Sequence, residues 1–389
     1  MRLVSLSCSA FRSYPELAWQ PADGINLLCG ANAQGKTNLL EAIYLLATSR
    51  SPRSTRESDL IFRDSPGAQL GAVVESQAAG RVEVELGIYR DSPKRVTING
   101  SPAPRLIDIL GRINAVYFGA SDLRVVQSDP SERRRFLDLE IAQASPAYAI
   151  HLIRYREAHA QRNHLLRSLR DSGRDGEDAG LEAWNLRLAQ CGSAVSLRRW
   201  QFINVMAPLA AQLYADLCST PHCFSVRYAA NVPVPDEPTA ERMEQAFLDR
   251  LERVQPDEIR RGVTLAGPHR DDLVMTIDGA DARHFGSQGE QRTAALALKL
   301  AEFKMLEEQL GEPPILLLDD VMSDLDRQRR TKLLELALGA GQTMITGADI
   351  AELARTVPRQ CTIWRVTMGA VIRGAEDVEL RMAESHASH

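Results

Sequence analysis

Gly30-Ala31-Asn32-Ala33-Gln34-Gly35-Lys36-Thr37 carries the strongest structural signal in the chain. It follows an apolar segment, residues 25–29, that reads as a strand, and it opens a segment over 38–46, free of Gly and Pro, that reads as a buried helix. Glycines let such a loop wrap around an anion, so that backbone N–H groups and the helix N-terminus face phosphate. Lys36 then reaches the outer phosphates, and the Thr37 hydroxyl ligates Mg²⁺. Strand, loop and helix together are a P-loop, and Gly30, Asn32, Gly35, Lys36 and Thr37 are its candidate contacts to ATP.

Two further segments give the P-loop its chemistry. A carboxylate on a neighbouring strand must hold the magnesium shell, and Ile315-Leu316-Leu317-Leu318-Asp319-Asp320 supplies one. Asp319, at the strand's end, is the metal candidate beside Thr37. Successive side chains of an extended chain point to opposite faces, which places Asp320 as the catalytic candidate that orients or activates the attacking water. Phe285-Gly286-Ser287-Gln288-Gly289-Glu290-Gln291 opens a long helix over 290–308, and its Ser287 and Gly289 form a second anion-binding helix end. In isolation this segment is a capping box. Beside a single P-loop, the economical explanation is that it completes the ATP site of another copy of the chain.

The remaining sequence frames these motifs. A chain of 389 residues exceeds what one core usually organises. With 46 basic and 51 acidic side chains the net charge is −5, so any nucleic-acid contact has to be local rather than spread over the whole surface. No apolar run approaches the roughly 20 residues needed to span a bilayer, and six scattered cysteines make no disulfide scaffold, so a cytoplasmic protein with reduced thiols is expected. Cys218, His222 and Cys223 lack a second ligand pair at zinc-site spacing and are read as unliganded. Residues 1–130 alternate as short strands around one helix. From Ser131, apolar residues recur at Tyr148, Leu152, Tyr155, Leu166 and Leu169, then at Leu181, Trp184, Leu188, Cys191, Val195, Phe202, Val205 and Leu209. A polar, Gly-rich turn over 171–180 folds these into an antiparallel helical hairpin, Pro208 is expected to kink or end its second helix, and one more helix over 239–254 follows. The expected architecture is α/β: residues 1–130 and 262–389 form an ATPase head, interrupted by a mostly helical arm and second lobe over 131–261.

On these strings the chain resembles the RecF family, within the ABC-type ATPases that also include the SMC proteins. Beside the P-loop, the resemblance rests on Gly267-Pro268-His269-Arg270-Asp271-Asp272-Leu273, on Gly286-Ser287-Gln288-Gly289-Glu290-Gln291-Arg292-Thr293, and on Leu318-Asp319-Asp320-Val321-Met322-Ser323-Asp324-Leu325-Asp326. Weaker echoes are Arg134-Arg135-Phe136-Leu137-Asp138 and Ser51-Pro52-Arg53-Ser54, where Arg53 is expected to touch nucleotide within its own subunit. The resemblance implies a two-lobed ABC-type ATPase head with a helical arm and ATP-dependent homodimerisation, and the short side chain of Asp320 is expected to make ATP hydrolysis slow. It further implies binding of single-stranded and gapped duplex DNA, a role in SOS induction, and action with RecO and RecR in loading RecA. The general ABC signature has Ser-Gly-Gly where this chain has Ser287-Gln288-Gly289, and a Glu where it has Asp320; both departures are RecF-like. Asp324 also stands where a Glu is usual, no counterpart of the magnesium-sensing Gln or the switch His is placed, and the roles of Thr346 and Asp349 stay open.

DNA binding rests on charge. Residues 131–170 hold eight arginines against four acids, and Arg134, Arg135, Arg154, Arg156 and Arg162 are the candidate phosphate contacts; a solvated face of the arm is the competing reading. His269-Arg270-Asp271-Asp272 is either catalytic or a structural ion-pair turn. Two other function classes share the P-loop: a small-molecule kinase, which leaves Ser287 to Glu290 unexplained, and a membrane-transporter ATPase subunit, which the helical hairpin argues against.

Overall fold

Residues 1–172, 179–218, 222–322, 325–348 and 361–374 are described by the computed structural model. Ser323, Asp324, Asp349, the centre of the Gly-rich turn and the tail after Met382 lie outside them. The chain divides into two compact units, residues 1–122 with the described residues from 302 onward, and residues 123–301.

In the first unit the P-loop helix Lys36–Thr48 lies at the centre of the core because, beyond its first turn, its residues are apolar apart from Glu41 and Thr48; every residue except Thr37 and Asn38 is buried. On one side it meets an antiparallel sheet, ordered Tyr14–Trp19, Arg2–Phe11, Gly67–Ser76, Gly80–Tyr89, Arg95–Ile98 and Ser101–Pro102. Alternate residues of these strands, such as Leu3, Leu70, Val84 and Leu86, share one hydrophobic cluster with Leu39, Ile43 and Leu46 of the helix. On the other side lies a second sheet, ordered Ala370–Arg373, Cys361–Thr367, Gly24–Cys29, Gln342–Gly347, Ile315–Asp319 and Ala115–Phe118, parallel apart from the first pair. Its strands Gly24–Cys29, Ile315–Asp319 and Ala115–Phe118 are largely apolar and almost fully buried, as expected of strands covered on both faces. The carboxylate strand Ile315–Asp319 is not the immediate neighbour of the P-loop strand, contrary to the expectation from sequence: Gln342–Gly347 pairs with both. Thr346 is thereby in register with Asp319 on one side and Leu28 on the other.

The second unit is mostly helical. The expected hairpin is Pro146–Ser172 and Ala179–Leu217, preceded by a separate helix, Pro130–Ala144. Pro208 does not end the second helix, which runs on to Leu217. A helix-interior proline costs roughly 3 kcal/mol, but Pro208 faces solvent while Ile203, Met206, Ala210 and Tyr214 bury the opposite side and hold the segment helical. Val205, expected in the core, is 54% exposed, because Met206 takes the buried position. The following helix is longer than expected, Ala240–Arg261, with Thr239 capping its start and Gly262 in the left-handed conformation at its end. Residues 262–301, expected with the head, fall in the second unit: strand Asp272–Ile277 pairs with Phe224–Ala229 and Ala280–Asp281.

Candidate active site

Glycine is required at two points of the P-loop. Gly35 has φ of 108°, and a Cβ there would meet the Ser13 hydroxyl at 2.7 Å and the Tyr14 hydroxyl at 3.0 Å; a Cβ on Gly30 would overlap the Val366 carbonyl. Gly35 leads into the buried helix with no side chain capping it, so the first-turn amides face the loop's hollow. Asn32 is exposed on the loop. The Lys36 ammonium donates to the carbonyls of Gly30 at 2.5 Å and Ala31 at 2.9 Å, which curls the loop around it. An uncapped, glycine-built helix end with a lysine fits a polyphosphate.

Sheet order places the carboxylate. Asp319 accepts from the Thr37 hydroxyl at 2.8 Å and the Thr346 hydroxyl at 2.9 Å through Oδ1, and from the Tyr117 hydroxyl at 2.6 Å through Oδ2. Thr37 and Asp319, both predicted as metal residues, are therefore in direct contact. A carboxylate beside a hydroxyl at the phosphate end of a P-loop is an oxygen set suited to magnesium. Tyr117 and the Thr346 contact were not predicted. Burial, reinforced by the Asp319 charge, pushes the Tyr117 phenol well above its ordinary range, so it is the donor of its hydrogen bond.

Asp320 is exposed, with φ of 56°, and its amide donates to Thr346 Oγ1 at 2.9 Å. The left-handed turn swings this residue out of the strand and away from its neighbour Asp319. Arg53 is carried back to the first turn of the P-loop helix, where it donates to Asn38 Oδ1 at 3.2 Å. Buried Glu41 anchors that neighbourhood: it accepts two bonds from Arg12, at 2.9 and 2.7 Å, and one from the Ser51 hydroxyl at 2.5 Å, and the Ser51 oxygen in turn accepts from the amides of Arg53 and Ser54. Arg12 and Glu41 carried no motif in the sequence.

In the second unit, Ser287 and Glu290 form the reciprocal capping box, Ser287 N donating to the Glu290 carboxylate at 2.7 Å and Glu290 N to the Ser287 hydroxyl at 3.3 Å. Ser287 and Gly289 are exposed, and a Cβ on Gly289 would meet nothing within 4 Å. Phe285, just before them, is 76% exposed.

The arginine candidates separate by burial. Arg154 and Arg156 are exposed, the latter paired with Asp138 at 3.0 Å. Arg134 and Arg135 are half-buried, and Arg134 donates to the Asp271 carbonyl. Arg162 is a correction. It is completely buried, bonded to Glu258 at 2.5 Å, Asn185 at 2.8 Å and Thr264 at 2.9 Å, and meets no solvent in which a DNA phosphate could reach it. Helical spacing explains this, since Arg162 lies on the same face as Tyr155, Leu166 and Leu169.

The open choice for residues 269–272 falls to structure. Asp271 is buried against Arg199, Tyr228 and the Asn231 amide; Asp272 pairs with Arg133 at 2.6 Å; Arg270 donates to the Thr264 carbonyl. His269 bonds the Tyr155 hydroxyl at 2.5 Å, and burial beside the His159 ring holds it down to about 3. His222 and Cys223 are both tied to Asp278, and among the described residues no group of His, Cys, Asp and Glu forms a metal cluster.

The family described as RecF/RecN/SMC N terminal domain matches residues 2–349. The DNA replication and repair protein RecF of Cyanothece sp. is 39% identical over 372 residues, which span 95% of this chain and 98% of that one. The chain belongs to the RecF family. RecF of Halalkalibacterium halodurans is 36% identical, covering 95% of this chain and 99% of its own. A solved structure of the recombination mediator protein RecF with ATP, in the RecFOR pathway, superposes with a TM-score of 0.88 at 30% identity over 96% of this chain and 97% of that RecF. The Smc head domain of Pyrococcus furiosus, at 17% identity and a TM-score of 0.53, shares the fold alone. The RecF fold is thus an ABC-type ATPase head, as the motifs indicated.

Proposed function

We propose that this RecF-family chain is an ATP-dependent DNA-binding protein of recombinational repair and replication. In this reading ATP joins two copies into a dimer that acts with RecO and RecR at single-strand/double-strand gaps to help load RecA, which SOS induction requires. The observation that carries it is the contact between Thr37 and Asp319 beside the uncapped, lysine-bearing helix end. Relatives of matching length named for DNA replication and repair, and a solved RecF with ATP, support it.

Each residue then has a role. The ammonium of Lys36 exchanges the Gly30 and Ala31 carbonyls for the outer phosphates, and the amides around Gly35 hold the phosphates nearer the base. Thr37 and Asp319 hold Mg²⁺, which when bound offsets the charge of the phosphate oxygens. Asp320 takes the proton of the attacking water, and its side chain, one methylene shorter than the usual glutamate, makes turnover slow. Ser287 and Gly289 of the second copy close over the outermost phosphate, and Arg53 steadies nucleotide within its own subunit. Arg134, Arg135, Arg154 and Arg156 remain the DNA contacts in this reading, led by the two exposed ones. Hydrolysis resets the dimer.

Lys36→Met removes the charge on the outer phosphates and should abolish tight ATP binding, whereas Asp320→Asn should bind ATP and lose turnover, as measured by nucleotide titration and phosphate release. Equal loss of binding in both variants would refute the division of roles.

A further inference from the structure

Three hydroxyls converge on one carboxylate, and only one of them belongs to the P-loop. Tyr117 comes from strand Ala115–Phe118 and Thr346 from strand Gln342–Gly347, which flank the Asp319 strand on either side. Thr346 is in register with Asp319, while Tyr117 is in register with Leu317, so the phenol reaches up one pleat to bond Oδ2. The Tyr117 ring is 3% exposed and packs on Tyr44 with centroids 5.6 Å apart. A phenylalanine would fill that volume equally well. The hydroxyl is the part of Tyr117 that the packing does not require, and it is directed at a charged acceptor.

We propose that Tyr117 and Thr346 are positioning residues for the metal-site carboxylate. Tyr117 pins Oδ2, and Thr346 shares Oδ1 with Thr37, so the carboxylate is held against rotation from both edges of its strand. Thr346 also acts on the next residue, because the same oxygen that donates to Asp319 accepts from the Asp320 amide and so couples the metal residue to the catalytic one. Magnesium demands near-ideal octahedral geometry, so a carboxylate free to turn binds it less well. The proposal rests on the reading of Asp319 as a magnesium residue.

The test is binding of a fluorescent ATP analogue to the full chain, followed by anisotropy in EDTA and across a series of free Mg²⁺ concentrations. Tyr117→Phe should leave binding in EDTA unchanged and move the Mg²⁺ midpoint upward by roughly tenfold or more, the effect usual for partners that orient metal ligands. Thr346→Val should do the same, and Thr346→Ser, which keeps the hydroxyl, should restore the midpoint. A general loss of packing would weaken binding in EDTA as well. If Tyr117→Phe does not fold, the Thr346 pair carries the test alone. Midpoints coinciding with wild type in the folded variants would overturn the positioning role and leave the magnesium reading intact. A wild-type protein whose nucleotide binding ignores Mg²⁺ would overturn both.

Discussion

Replacing Arg162 separates a structural arginine from a DNA-binding one. The guanidinium is completely buried and donates to Glu258, Asn185 and Thr264, joining helix Pro146–Ser172 to helix Ala240–Arg261 and the segment after it. Arg162→Ala leaves the buried Glu258 carboxylate with the Leu265 amide, at 2.6 Å, as its remaining described partner. Removing one member of a buried pair costs about 3–5 kcal/mol, because the other charge stays in low dielectric without compensation. Urea unfolding followed by far-UV circular dichroism should show that loss as a lower midpoint. The double variant Arg162→Met with Glu258→Met should recover most of it, since apolar groups of similar volume replace such pairs at little cost. The folded fraction of Arg162→Ala should bind DNA with wild-type salt dependence. An unfolding free energy within about 0.5 kcal/mol of wild type, the range of ordinary surface substitutions, together with weakened DNA binding, would instead make Arg162 a DNA contact.

Exchange of both Arg154 and Arg156 for Ala should weaken DNA binding and reduce the slope of log K against log salt by roughly two, near one counterion per lost phosphate contact; an unchanged slope assigns them to a solvated face. Acid should loosen the second unit through His269. Its folded value of about 3 lies below the unfolded 6.5, so its contribution to stability is full above pH 6.5 and is lost as pH falls toward 3. That amounts to roughly 2 kcal/mol between pH 7 and 5, from 1.36 kcal/mol per unit. The groups around it are Tyr155, His159, Arg270 and Arg134, and His269→Gln should flatten the dependence in urea midpoints measured across that range.

The P-loop, Asp319 and the helical hairpin were legible because each is written in consecutive residues with a period or a spacing. Tyr117 was not, since a tyrosine in Ala115-Val116-Tyr117-Phe118 looks like any core aromatic until the strand order puts it beside Asp319. Glu41 and Arg12 are 29 positions apart and meet only when the strand Arg2–Phe11 folds over the P-loop helix. Arg162 is obscured for a related reason: a local count of charges does not record which helix face each arginine occupies, and the partner that buries it, Glu258, is 96 residues away. At Pro208 the local signal is a helix breaker, and only the buried apolar face of Ile203, Met206, Ala210 and Tyr214 overrides it.

In the function proposed above, ATP joins two copies through Ser287 of one and the P-loop of the other. Sedimentation velocity with ATP and excess magnesium, compared with ADP and with the Ser287→Arg protein, distinguishes a shared site from a separate one, provided that nucleotide titration shows the variant still binds ATP as a monomer. The wild-type chain should sediment as a dimer with ATP and a monomer with ADP, and Ser287→Arg should remain a monomer in both, because a bulky cation replaces the hydroxyl at the outermost phosphate. A Ser287→Arg protein that dimerises with ATP as readily as wild type would contradict the shared site and leave residues 287–290 as a capped helix start.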